Sequence, residues 1–118
     1  MSILSEFLKS KTNIKTVSVT ALKQLLNEQE KIQLLDVRTP AEFNQQHISK
    51  AVNIDVFKSD FVQKCQSKFE MSKPILLYCR SGQRSLNAAK KLDQIGFQDI
   101  YNLKGGMIAW SNFSSKSK

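Results

Sequence analysis

One stretch, Pro74-Ile-Leu-Leu-Tyr-Cys79-Arg-Ser-Gly-Gln-Arg84-Ser-Leu-Asn-Ala-Ala-Lys-Lys-Leu92, leaves this chain few choices of fold. Ile75 to Tyr78 is apolar without alternation, so it reads as a strand buried on both faces. A helix must follow almost at once. Leu86, Ala89, Leu92 and Ile95 recur at helical spacing, and Gly96 stands where a left-handed helix stop belongs. Only Cys79 to Arg84 lie between. A strand-to-helix turn that sharp aims successive backbone N–H groups inward, and the new helix adds the positive end of its dipole. With that helix beginning near Ser85, the expected result is an anion cradle with a thiol at its entrance.

An ordinary cysteine has a pKa near ~8.5 and is only a few per cent thiolate at neutral pH. Each unit of lowering requires ~1.4 kcal/mol of preferential stabilisation of the anion. Inward amides, a helix N-terminus and the guanidinium groups of Arg80 and Arg84 can supply more than one such unit. Unpaired cysteines at strand ends are commonly inert packing, but the two arginines and Gly82 mark Cys79 as a nucleophile.

Elsewhere strand and helix signals alternate with short connections, which implies an α/β sandwich on a mainly parallel sheet. Residues 1–15 form an extension whose Ile3, Leu4, Phe7 and Leu8 share a face if helical; 16–113 form the domain; 114–118 have no apolar content and read as a solvated tail. Thr16–Val19 reads as a strand, with Thr20 as the cap of a helix carrying Leu22, Leu25 and Leu26. The strand Ile32–Val37 ends in Asp36-Val-Arg38, at the sheet edge where parallel sheets place ligands. Asp36 and Arg38 could touch substrate or orient loops through an ion pair. Thr39, Pro40 and Glu42 make a capping box. His47 invites a general-base role, but its place before the strand Ala51–Ile54 equally suits a residue that satisfies a turn. On the helix Ser59–Phe69, Cys65 turns inward with Phe61, Val62 and Phe69 as packing, with a resolving-thiol role as the alternative. A last strand, Asp99–Leu103, leads through Gly105 and Gly106 into a closing helix with Trp110 as a core anchor. Two adjacent glycines let backbone approach the cradle and form a wall of the pocket.

Lys and Arg number 18 against 10 acidic residues, a net charge of +8 that favours anionic small molecules or acidic proteins. Nucleic acid is disfavoured, because the lysines are scattered and no stripe of basic and aromatic residues appears. Two cysteines give no disulfide framework, no apolar run can span a bilayer, and Ser5 and Glu6 interrupt any secretory core, so a cytoplasmic protein is expected.

Cys-Arg-Ser-Gly-Gln-Arg-Ser between strand and helix resembles the active-site loop of single-domain rhodanese-type sulfurtransferases. Leu34-Leu-Asp-Val-Arg38, Glu42-Phe43 with His47-Ile48, and Leu103-Lys-Gly-Gly-Met-Ile-Ala-Trp110 agree with that family in order and spacing, from roughly Thr16 to Phe113. The resemblance implies a three-layer rhodanese-like sandwich, with a five-stranded sheet and helices on both faces. It implies sulfur transfer from thiosulfate or a persulfide through a Cys79 persulfide. Arg80, Ser81, Gly82, Gln83, Arg84 and Ser85 would bind substrate, and the acceptor would be a thiol, cyanide or a small protein. No metal or organic cofactor, nucleic acid or membrane is implied, and a monomer is expected. His47 matches a position that looks structural. Family members usually carry glycine where this chain has Gln46 and Lys50, which questions the local turn. Two rivals are set against this reading. Cysteine-dependent phosphatases and arsenate reductases place five residues between Cys and Arg, whereas this loop has four, a tighter ring suited to sulfur. A non-catalytic rhodanese-like binding module typically lacks the cysteine, which is present here.

Overall fold

A computed structural model describes residues 14–28 and 32–116, with side chains through residue 113. The chain alternates β1 (Ile14–Val17), α1 (Val19–Glu28), β2 (Gln33–Asp36), α2 (Pro40–Gln45), β3 (Val52–Asn53), α3 (Phe61–Lys68), β4 (Ile75–Tyr78), α4 (Gln83–Gln94), β5 (Ile100–Leu103) and α5 (Gly106–Lys116). The five strands form one sheet in the order β1-β5-β4-β2-β3, and every pairing is parallel.

Each parallel crossover needs a helix, and helices on both faces bury the strands twice over. That is why Ile75 to Tyr78 shows no alternation: all four are buried. The period-two pleat instead divides them between two cores. Leu35, Ile75 and Leu77 pack with Phe61, Cys65, Ala88, Ala89 and Leu92 under α3 and α4. Leu34, Leu76 and Tyr78 pack with Val19, Leu22, Leu103 and Met107 under α1 and α5. Lys23 of α1 lies 4.7 Å over the Trp110 ring of α5 and joins those two helices.

Several boundaries differ from the sequence reading. β1 begins at Ile14 because its register with β5 starts at the Ile14–Ile100 pair. The expected extension 1–15 therefore contributes its last two residues to the sheet, and the rest of it lies outside the described residues. Ser18, not Thr20, caps α1: the Ala21 amide donates to Ser18 Oγ at 3.1 Å. Helix α5 continues to Lys116, into the stretch read as a tail. The capping box on α2 is formed, with Thr39 Oγ1 accepting from the Glu42 amide and Glu42 accepting from the Thr39 amide. Gln46 adopts extended backbone that any residue can take, whereas Lys50 sits in the left-handed region at φ 73°.

Candidate active site

In this strand order β4 is central, and the carboxyl ends of β2, β4 and β5 meet on one edge, the edge where parallel sheets bind ligands. Cys79 follows β4 there, and the loop curls back over it to reach Gln83, the first residue of α4. Gly82, the N-cap of α4, takes φ 109°, a conformation that an L side chain resists. Its amide donates to Cys79 Sγ at 3.0 Å, and the Ser85 hydroxyl lies 3.4 Å from the same sulfur.

The sulfur is therefore on the floor of the cradle and not at its entrance: Cys79 is 1% exposed. The four residues between Cys79 and Arg84 close over the side chain, which receives the Gly82 amide from within that loop. Burial works against the thiolate. The Ser85 hydroxyl and the amides of Ser85, Gly82 and Ser81 more than compensate, so the thiol is held below its ordinary range. Cys65 gives the contrast. It is wholly buried on α3 with nothing to stabilise an anion, and burial pushes its thiol up to about 12.

Around the sulfur the cations differ in their commitments. Arg84 makes two 2.9 Å hydrogen bonds to the two carboxylate oxygens of Glu42, which also serves the α2 cap. The Arg84 bond holds the Glu42 carboxyl at about 2. Glu42 and the Cys79 charge both favour the Arg84 cation. The exposed Phe57 ring stands 5.9 Å from that guanidinium. Arg80 is exposed and makes no ion pair among the described residues. Arg38 and Asp36, both buried, form a closed pair: Nη2 donates to Oδ2 at 2.7 Å and Nε to Oδ1 at 3.0 Å. This is the orienting arrangement, and Asn53 fixes it further by donating to the carbonyls of Asp36 and Arg38.

Gly105 and Gly106 bring the start of α5 onto the loop. The Met107 and Ile108 amides donate to the Cys79 and Arg80 carbonyls at 2.8 and 3.0 Å. A Cβ on Gly106 would overlap the Cys79 carbonyl oxygen and stand 2.6 Å from that of Arg80. Beside this contact opens a cleft of about 470 Å³ lined by Arg38, Glu42, Gln46, Arg80, Met107 and Ile108. Gln83 is exposed on the first turn of α4. His47 hydrogen-bonds the Phe43 carbonyl at 2.8 Å and stacks on the Phe43 ring, which occupies it at the end of α2.

Two participants escaped the sequence reading. Glu42 carried a capping signature and a place in one of the family-like segments, neither of which pointed to Arg84, 42 residues further on. Asn102, buried on β5, accepts from the Ser85 hydroxyl at 2.5 Å and donates to the Gly82 carbonyl at 3.2 Å. A lone amide in the apolar run Ile100–Leu103 was its one available signal.

A five-stranded parallel α/β sandwich with amides gathered on the buried cysteine after its central strand defines the class of protein. Within that class the particular family is shown by direct comparison: residues 18–113 match the rhodanese-like domain, and the chain belongs to that family. It is similar to a sulfurtransferase of Allochromatium vinosum, 34% identical over 83% of this chain and 89% of the other. It is also similar to the thiosulfate sulfurtransferase of Shewanella oneidensis, 33% identical over 84% of this chain and 94% of the other. Among solved structures, the rhodanese-like domain protein of Staphylococcus aureus superposes with TM-score 0.72 at 30% identity, over 81% of this chain and 90% of that one. Among the described residues no group of three His, Cys, Asp or Glu side chains could hold a metal ion, and no helix is long and apolar enough to cross a membrane.

Proposed function

We propose that the protein transfers a sulfane sulfur through a persulfide on Cys79, in a reducing compartment such as the cytoplasm. The observation that carries this reading is the set of donors on Sγ, namely the amides of Ser81, Gly82 and Ser85 with the Ser85 hydroxyl. The backbone amides among them stabilise a sulfur anion in place and need no reorganisation when charge develops.

In the first half-reaction the Cys79 thiolate attacks the outer sulfur of thiosulfate. A sulfur–sulfur bond to Sγ forms, the donor's own sulfur–sulfur bond breaks, and sulfite leaves with the electron pair. The negative charge passes to the new outer sulfur. In the second, a thiolate or cyanide attacks that outer sulfur, departs as a persulfide or thiocyanate, and returns Cys79 as thiolate. Arg80, which has no anionic partner among the described residues, meets the sulfonate end of the donor and the departing sulfite. Arg84 is charged but engaged by Glu42, so it acts on the sulfur through its field. The cleft beside Arg80 has room for the body of a larger thiol than thiosulfate.

Intact mass spectrometry after exposure to thiosulfate tests the reading. The expected product carries one additional sulfur atom on Cys79, removed by dithiothreitol and absent from Cys79→Ser. No mass gain with thiosulfate or an organic persulfide, alongside hydrolysis of an aryl phosphate lost in Cys79→Ser, would place the protein with the phosphatases instead.

A further inference from the structure

The Ser85 hydroxyl has one hydrogen and three acceptors within reach. Asn102 Oδ1 lies at 2.5 Å, the Gly82 carbonyl at 3.2 Å and Cys79 Sγ at 3.4 Å. The Gly82 carbonyl already receives the Leu86 amide at 3.1 Å and Asn102 Nδ2 at 3.2 Å, which fills both of its lone pairs. The choice is therefore between Asn102 and the sulfur. Asn102 is not free to turn over, because exchange of its oxygen and nitrogen would set two acceptors, its own Oδ1 and the Gly82 oxygen, against each other. Ser85 is fully buried and Asn102 nearly so, so water offers no third course.

We propose that Asn102 is a positioning residue for Cys79: it receives the Ser85 hydrogen while the sulfur is uncharged and yields it when the sulfur becomes a thiolate. A hydrogen bond to a charged acceptor is roughly twice as strong as a neutral one, which decides the direction of the switch. The hydroxyl is satisfied in both states, whereas the thiolate state leaves Asn102 Oδ1 without its donor, a cost of about 1–3 kcal/mol that the bond to the charged sulfur must offset. In the persulfide the charge sits on the outer sulfur, Sγ is neutral again, and the hydroxyl returns to Asn102. This last step rests on the sulfur-transfer reading; the rest requires only that Sγ change its charge.

The charged groups facing the site are few. Arg84 comes from α4 and is held by Glu42 of α2; the closed Asp36–Arg38 pair ends β2; Arg80 stands exposed on the loop. Asn102 on β5 and Gly105, Gly106 and Met107 at the start of α5 carry no charge.

The test is the pH dependence of Cys79 alkylation by iodoacetamide, whose midpoint reports the thiolate pKa. Ser85→Ala removes the donor and raises the midpoint. Asn102→Leu removes the competing acceptor, so the midpoint falls by about half to one pH unit, the equivalent of one neutral hydrogen bond. The double variant matches Ser85→Ala, because Asn102 acts only through Ser85. A midpoint that rises in Asn102→Leu, or an equal shift with and without Ser85, overturns the proposal and leaves Asn102 as a brace for the loop. Should Asn102→Leu not fold, the Asn102 carboxamide carbon followed by NMR decides. Its resonance titrates with the Cys79 midpoint in the wild type and stays flat in Ser85→Ala, and titration of equal size in both overturns the switch. After thiosulfate, the same resonance takes its low-pH position. A missing sulfur mass gain defeats the sulfur-transfer reading without touching the pH titration, and a resonance insensitive to pH defeats the switch without touching the mass gain.

Discussion

A sulfur ringed by donors and shut off from water discriminates between electrophiles by size as well as by pH. The Cys79 anion is stabilised in place, whereas burial alone acts on Cys65 and pushes its thiol to about 12. Iodoacetamide at neutral pH is therefore expected to modify Cys79 and leave Cys65 untouched, as read by peptide mass mapping. A bulky maleimide should lag at least about tenfold behind iodoacetamide when both are normalised to a free thiol, since its ring must pass the loop that leaves Cys79 1% exposed. Modification of Cys65 at a comparable rate, or no dependence on reagent size, would contradict the buried cradle. That the Cys79 side chain meets amides was legible in the sequence, since a cysteine between a buried strand and a helix has them close by. Its depth was not. Whether a thiol lies at the lip or on the floor depends on how tightly the loop closes, and the φ of Gly82 sets that.

Helix α2 is the element that joins fold to site. Its Glu42 closes the capping box and, with the same carboxylate, holds Arg84 on α4. A carboxyl whose native pKa is lowered, here to about 2 from 4.5, stabilises the fold fully above its unfolded value, and that stability is lost as pH falls through the native value. Glu42→Gln should thus flatten the acid limb of unfolding between about pH 4.5 and 2, measured by circular dichroism, while costing part of the cap and the ion pair at neutral pH. An unchanged acid limb would mean the carboxylate is not engaged in solution. After α2 the chain turns through Lys50 in the left-handed region, where a side chain costs roughly 1–2 kcal/mol. Lys50→Gly is accordingly expected to raise stability by about 0.5–1 kcal/mol in urea unfolding after the entropy of the added glycine is counted. A decrease would show that Lys50 contributes contacts worth more than the strain. The sequence announced the α2 start because cap chemistry is local, and it placed β4 correctly because unbroken apolar runs need burial on both sides. It could not show Glu42 meeting Arg84, since the local capping pattern already accounted for the carboxylate. Nor could it show Asn102 beneath the loop, because one polar residue in a short strand carries no direction.

At the scale of the whole molecule, a net charge of +8 surrounds a site whose arginines are unequally committed. Arg38 is neutralised by Asp36 and Arg84 by Glu42, so the general field and Arg80 are what a diffusing anion meets. Such steering is screened over about 8 Å at physiological ionic strength. The second-order rate of Cys79 sulfuration by thiosulfate should therefore fall steadily as sodium chloride rises from 20 to about 500 mM, several-fold in total. Alkylation by neutral iodoacetamide, which reports the same sulfur, should barely change. Arg80→Ala should lower the thiosulfate rate at low salt and flatten its salt dependence, while the iodoacetamide rate holds. Parallel salt dependence for the neutral and anionic reagents would trace the effect to the thiolate pKa and not to capture of the donor, and an Arg80→Ala slope equal to wild type would assign the steering to the surface lysines alone.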